Sequence, residues 1–143
     1  MSPGHWRGLQ DMDTAPLVEG LATVTLFTED LTATRAFYAE VLGLPLVFED
    51  DDSVVFRTGG TQLNVLAVEQ ADTLVTPAPV GGPGRGARAL FTTEVADVDA
   101  TAAELTRRGV VLLNGPVDRP WGPRTAAFAD PAGNVWEIAG PAS

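Results

Sequence analysis

The chain contains no cysteine and one histidine, His5. That excludes a disulfide scaffold, a thiolate zinc site and a cysteine nucleophile. A single imidazole also leaves almost no room for a Ser–His couple and none for a multi-histidine metal centre. His5 itself lies in a polar N-terminal stretch and reads as a solvated side chain unless that stretch folds in over a site. Gly82-x-Gly84-x-Gly86 has the look of a dinucleotide-binding loop. Such a loop must follow a strand and open a helix, so that its amides meet the phosphates. Here a strand pattern follows, and the glycines read as a linker. Trp121, in Pro120-Trp121-Gly122-Pro123, stands on a loop stiffened by two prolines. It could stack on a flat ligand, hold a cation over its ring, or simply pack the loop. The run Glu49-Asp50-Asp51-Asp52 reads as a solvated hairpin tip, with a cation-attracting rim as the functional alternative.

Charge narrows the partners. The 143 residues carry nineteen acids against nine bases, all arginine, for a net charge of −10. The first 75 residues hold twelve acids and three arginines, a balance of −9, and the remainder seven acids and six arginines, a balance of −1. Such a surface repels phosphate backbones and anionic lipid and attracts cationic solutes, so no nucleic-acid or membrane partner is expected. No stretch has the length and apolarity of a spanning helix, and MSPGHWRGLQDMD has no apolar h-region. The expected location is the cytoplasm.

The elements that must position these residues follow from periodicity. Residues 1–18 lack a pattern and read as a flexible tail before a single domain over 19–143. Leu21 to Thr28 alternates as a strand. Asp30 then caps a helix through LTATRAFYAEVL, with Gly43 as its left-handed stop and Pro45 preventing its return. Strands are expected at Leu46–Glu49, Ser53–Thr58 and Thr61–Val68, with turns at the acidic run and at Gly59-Gly60. Residues 69–88 form a proline- and glycine-dense connector. After it the order repeats: a strand at Ala89–Val95, a helix capped by Asp97 and stopped at Gly109, then strands at Val110–Leu113, Thr125–Asp130 and Asn134–Ala139. The chain reads βαβββ twice, as a first module over about 21–68 and a second over about 89–140. The two capping aspartates are 67 residues apart, and two such modules share one core.

With FTEDLTATRAFYAEVLGL in the first module, and TTEVADVDATAAELTRRGV and PWGPRTAAFADPAGNVWEI in the second, the sequence resembles the glyoxalase/bleomycin-resistance/extradiol-dioxygenase superfamily, the vicinal oxygen chelate fold. The match covers about residues 21–140. It implies an α+β fold in which two βαβββ modules form a curved mixed sheet with a cleft and helices on the outer face, in a homodimer. Enzymes of this family hold a divalent metal with one ligand from the first and last strand of each module. Carried over by position, the ligands fall on Thr23, Asn64, Leu90 and Glu137. Only Glu137 is a ligand type that the family uses. Transition metals want imidazole, thiolate or several carboxylates, so neither a metal nor another cofactor is expected.

If those four positions face the cleft, strand parity adds Thr25, Phe27, Gln62, Leu66, Arg88, Thr92 and Val135 to the same face. The opposite parity gives Val24, Leu26, Leu63, Val65, Phe91, Trp136 and Ile138, an apolar set suited to packing under the helices. That segregation supports the register independently of the resemblance. Phe37 and Tyr38 also read as core. Glu137 would be costly to bury alone, and its open alternatives are an internal pair with Arg88 or Arg124, solvation, a ligand's cation, or a role as a base.

The resulting expectation is a metal-free protein that binds a small organic molecule, similar to the bleomycin-resistance branch, with a basic, aromatic natural product as the ligand class. Its candidate ligand-binding residues are Thr23, Thr25, Phe27, Gln62, Asn64, Arg88, Leu90, Trp121 and Glu137, with none assigned to catalysis or metal. Two alternatives stay open: a lyase, isomerase or dioxygenase of the same fold, and a dimerisation or regulatory module without catalysis.

Overall fold

The computed structural model describes residues 16–82, 84 and 86–143, so His5 lies outside the described residues. The first module runs β1 (Thr23–Thr28), α1 (Leu31–Ala36), a π-helical turn (Phe37–Val41), β2 (Leu46–Glu49), β3 (Ser53–Thr58) and β4 (Thr61–Ala67). A 3₁₀ turn (Val68–Gln70) and a short helix α2 (Ala71–Val75) open the connector. The second module runs β5 (Leu90–Glu94), α3 (Val98–Arg107), β6 (Asn114–Asp118), β7 (Arg124–Ala129) and β8 (Val135–Gly140). The strands form two four-stranded mixed sheets, ordered β1-β4-β3-β2 and β5-β8-β7-β6. β1 is parallel to β4 and β5 to β8, and the other pairs are antiparallel. This is the α+β arrangement of two βαβββ units expected from the repeat. β1 and β5 are each the edge of their own sheet.

The helix signals act where their chemistry requires. The Asp30 and Asp97 side chains each accept from the backbone N–H three residues on, at 3.0 Å. Gly43, at φ 70°, ends the first helix in the left-handed region. The first helix departs from a regular α-helix at Phe37, where the Leu42 N–H donates to the Phe37 carbonyl. Phe37 and Tyr38, the first two residues of this wider turn, are both buried.

Parity divides each sheet as the alternation implies. Leu26, Leu63, Val65, Trp136 and Ile138 belong to one buried cluster with Phe37, Tyr38, Phe56, Phe128 and Leu105, and Val24 and Phe91 pack against it. Both modules contribute, so the core is shared. At its centre the Tyr38 hydroxyl donates to Asp130 Oδ2 at 2.5 Å and accepts from Trp136 Nε1 at 3.0 Å. Asn134 Nδ2 also donates to Asp130 Oδ2, and the Ala132 and Asn134 N–H groups donate to Oδ1. Burial first, and the negative charge of Asp130 second, hold the Tyr38 phenol far above its ordinary range, so it stays a donor.

One expectation is corrected. Val110–Leu113 is not a strand: Val110 is buried in the core and its N–H closes the end of α3 on the Leu105 carbonyl. The strand lies at Asn114–Asp118, where Gly115-Pro116 reads as a turn. It is the outer strand of its sheet and its register shifts between Asn114 and Val117, which is where a sheet tolerates proline. Gly115 has φ 78°, and a Cβ there would collide with the Thr125 carbonyl. The connector begins with regular structure, since Val68–Gln70 and Ala71–Val75 are helical turns and Ala71 is fully buried.

Candidate functional site

The strand register builds the candidate face from two equivalent cross-strand pairs. In the first module Thr25 lies opposite Asn64, and Asn64 Nδ2 donates to Thr25 Oγ1 at 3.4 Å. In the second, Thr92 lies opposite Glu137, and Thr92 Oγ1 donates to Glu137 Oε1 at 2.9 Å. Thr23 stands one step along that face opposite Gln62, and Leu90 opposite Val135. Thr23 is exposed, and Leu90 leaves 60% of its apolar surface exposed. Asn64 Oδ1 is buried without a hydrogen-bond partner.

Of the alternatives open for Glu137, the internal pair with Arg88 or Arg124 is not formed. Arg88 forms a fork on Glu29, at 3.0 and 2.6 Å, and donates to the carbonyls of Phe27, Ala132 and Gly81. It ties the connector to both modules, and only its Nε is buried without a partner. Arg124 binds Asp99 and Asp118. Residue 88 precedes β5 and so escapes strand parity. Arg124 lies opposite Gly140 on the face of Ala126 and Phe128, away from Glu137.

Two cavities open between β1 and the β5 side. The larger, of about 480 Å³, is walled by Val24 to Phe27, the glycines of the connector, Arg88, Phe91 and Asn134. It gathers Thr25, Phe27 and Arg88 from the expected set. A smaller one of about 210 Å³ takes in Gln62 and Thr92 above Leu63, Phe91 and Trp136. Thr23, Asn64, Leu90, Trp121 and Glu137 line neither. An apolar wall with a few fixed polar groups is the usual make-up of a small-molecule site.

Trp121 is 70% exposed, and the Arg119 guanidinium sits 5.7 Å from its ring centre. Arg119 is the site feature that sequence reasoning missed. Its one signal was the spacing Arg119-Pro120-Trp121 in a short hairpin loop, closed by the Arg119 N–H on the Pro123 carbonyl.

The positions that hold a metal in the fold offer an amide, a threonine, a leucine and one carboxylate that already accepts from Thr92. Asn64 adds a single neutral acceptor. Divalent transition ions are held by imidazole, thiolate or several carboxylates, so this donor set does not fit one. Among the described residues, no three His, Asp or Glu side chains come together as a ligand group. No helix among them is long and apolar enough to cross a membrane.

Comparison with known proteins agrees with this architecture. The profile of the Glyoxalase/Bleomycin resistance protein/Dioxygenase superfamily matches residues 20–138. The uncharacterized protein YraH of Bacillus subtilis is 31% identical over 122 residues, spanning 82% of this chain and 95% of YraH. A glyoxalase/bleomycin resistance protein/dioxygenase from Nocardioides superposes with a TM-score of 0.79 at 25% identity, over 96% of this chain and 93% of its own. A glyoxalase-related enzyme from Fulvimarina pelagi gives 0.72 at 30% identity, over 85% and 88%.

Proposed function

The chain belongs to the Glyoxalase/Bleomycin resistance protein/Dioxygenase superfamily, and on that premise we propose that it binds and sequesters a small organic molecule between its two modules, without a metal and without altering the ligand. The observation that carries this reading is the pair of equivalent contacts Thr25–Asn64 and Thr92–Glu137. Where a chelating enzyme needs a ring of strong donors, this face carries hydroxyls, an amide and one carboxylate, which suit recognition. The adjoining cavity of about 480 Å³ supplies apolar surface from Val24, Leu26, Phe27 and Phe91. A flat aromatic ligand suits those rings, and a basic group on it suits Glu137 and the −10 charge of the chain. An antibiotic-like natural product has both features, and occupancy alone would then confer protection. A second copy of the chain completes the proposal. It is supported by the outer strand β2, where Leu46, Val47 and Phe48 all remain exposed.

Titration of tryptophan fluorescence with a panel of basic aromatic natural products tests the reading. Dissociation constants below about 100 μM, with the compound recovered unchanged, are the expected outcome. Failure of the whole panel to bind in that range removes the proposal. So does one divalent ion per chain that survives purification and dialysis.

A further inference from the structure

Seven arginines fall among the described residues. Five of them are ion-paired: Arg35 with Glu49, Arg88 with Glu29, Arg107 and Arg108 with Glu104, and Arg124 with Asp99 and Asp118. Arg57 and Arg119 have no carboxylate within 4.0 Å among the described residues. Arg57 is exposed, whereas Arg119 is half-buried and fixed by neutral groups only. Its Nε donates to Thr125 Oγ1 at 2.8 Å and its Nη2 to Asn114 Oδ1 at 3.0 Å, while the Trp121 ring lies against the guanidinium. Nη1 meets no acceptor among the described residues. In a chain with twice as many acids as bases, a cation held in one orientation without a counter-charge is unusual. It also faces the candidate site. Ala127 lies between Glu137 and Asn114 in the strand register, and Thr125 stands on that same face.

We infer that Arg119 and Trp121 form an acid-recognition subsite for a flat aromatic carboxylate. The Nη1 N–H donates to a carboxylate oxygen, and the ring it is attached to lies on the open surface of Trp121. The guanidinium's orientation is set by Thr125 and Asn114 before the ligand arrives, so little side-chain freedom is lost on binding. This deepens the sequestration reading and rests on it: the ligand carries an acid at Arg119 as well as any basic group near Glu137.

Calorimetric titration of the full chain with three probes that share one ring tests the subsite: 2-naphthoate, 2-naphthamide and 2-naphthylmethylammonium. The expected result is that naphthoate binds at least about tenfold more tightly than the amide, and that Arg119→Gln abolishes this difference while leaving the amide unaffected. Should Arg119→Gln fail to fold, ¹H–¹⁵N spectra of the unaltered chain decide instead. Naphthoate must then shift the Trp121 indole and Arg119 Nε–H signals, and naphthamide must not. Equal binding of naphthoate and naphthamide overturns the subsite, and so does a naphthoate preference that survives Arg119→Gln. If naphthylmethylammonium binds most tightly and ignores Arg119→Gln, the subsite falls while cation-directed sequestration stands. If basic natural products also fail to bind, both readings fall.

Discussion

The two modules share an element order and a register but differ in what they carry. Between β3 and β4 the first module turns on Gly59-Gly60, whereas between β7 and β8 the second turns through Asp130 to Asn134. The first holds a balance of −9 over residues 1–75 and the remainder only −1. On the candidate face, Asn64 of the first module is answered by Glu137 of the second. The longer turn has a structural use, since Asp130 accepts a hydrogen bond from the Tyr38 hydroxyl of the other module. The repeated halves thus differ in two ways: one supplies a donor and the other its acceptor in the core, and on the candidate face the first module carries the amide of Asn64 with the cation of Arg57 opposite Gln62, whereas the second carries the carboxylate of Glu137. In the second module Glu137 stands on β8 and Arg119 in the loop between β6 and β7, beside the face that Ala127 and Thr125 share with Glu137.

The sharpest way to break this comparison is at Asp130, only 5% exposed and accepting from four donors. Asp130→Ala leaves Tyr38 and Asn134 with unsatisfied buried donors and is expected to cost about 3–5 kcal/mol in urea unfolding. Tyr38→Phe removes one side of the same bond and should cost about 1–3 kcal/mol. A loss below about 1 kcal/mol for Asp130→Ala would mean that the inter-module bond is incidental.

The shared core gives the next test. Leu63 on β4 and Ile138 on β8 are both 2% exposed and belong to one cluster. Truncation of either to alanine is expected to cost about 2–4 kcal/mol and to shift a single cooperative transition. Two separated transitions in either variant would show that the modules have independent cores.

A smaller effect follows at the face itself. Glu137→Gln keeps an acceptor for Thr92 and is expected to change stability by less than about 0.5 kcal/mol. It should weaken binding of a cationic aromatic by about three- to tenfold, and Asn64→Asp should strengthen it in the same titration. Equal responses to both changes would remove the asymmetry between the modules.

Much of this fold could be read along the chain, because caps, stops and alternation act locally. Asp30 and Asp97 cap, Gly43 and Gly109 stop, and the strand parity separates Val65 from Asn64 without tertiary information. The strand at Asn114–Asp118 escaped, since Gly115-Pro116 has turn chemistry and only a place at the sheet's edge accommodates it. The π-helical turn escaped for a similar reason: it answers to Asp130 and Trp136, more than 90 residues away. The candidate face was legible as a pattern of alternate residues, but its charges were not. Which of the arginines lacks an acid depends on three-dimensional pairing, so the sequence leaves Arg88 and Arg124 open as partners of Glu137 and does not single out Arg119.

The smallest effect lies on the outer surface, where the first module ties its helix to a strand with an ion pair and the second carries its pairs within the last turn of α3. In the first, Arg35 of α1 binds Glu49 of β2, and its hydrogen bonds hold the Glu49 carboxyl below the ordinary range. In the second, Arg107 and Arg108 both donate to Glu104 and hold its carboxyl at about 2, against an ordinary 4.5. A group whose folded pKa is depressed stabilises the fold above its unfolded pKa and loses that contribution as pH falls through the folded value. The Glu104 contribution is therefore complete above pH 4.5 and gone near pH 2. Glu104→Gln should lower the melting temperature slightly at neutral pH, with the gap from the unaltered chain closing across that interval. These groups are exposed, so 1 M salt should shrink the gap as well. Arg108 gives the second module's pair a further role, because its Nη1 also donates to the Val41 carbonyl of the first module. Glu104→Gln should thus loosen the end of the π-helical turn, seen as faster amide exchange at Leu42, whereas Glu49→Gln should not. Identical exchange in the two variants would reduce both pairs to ordinary surface contacts.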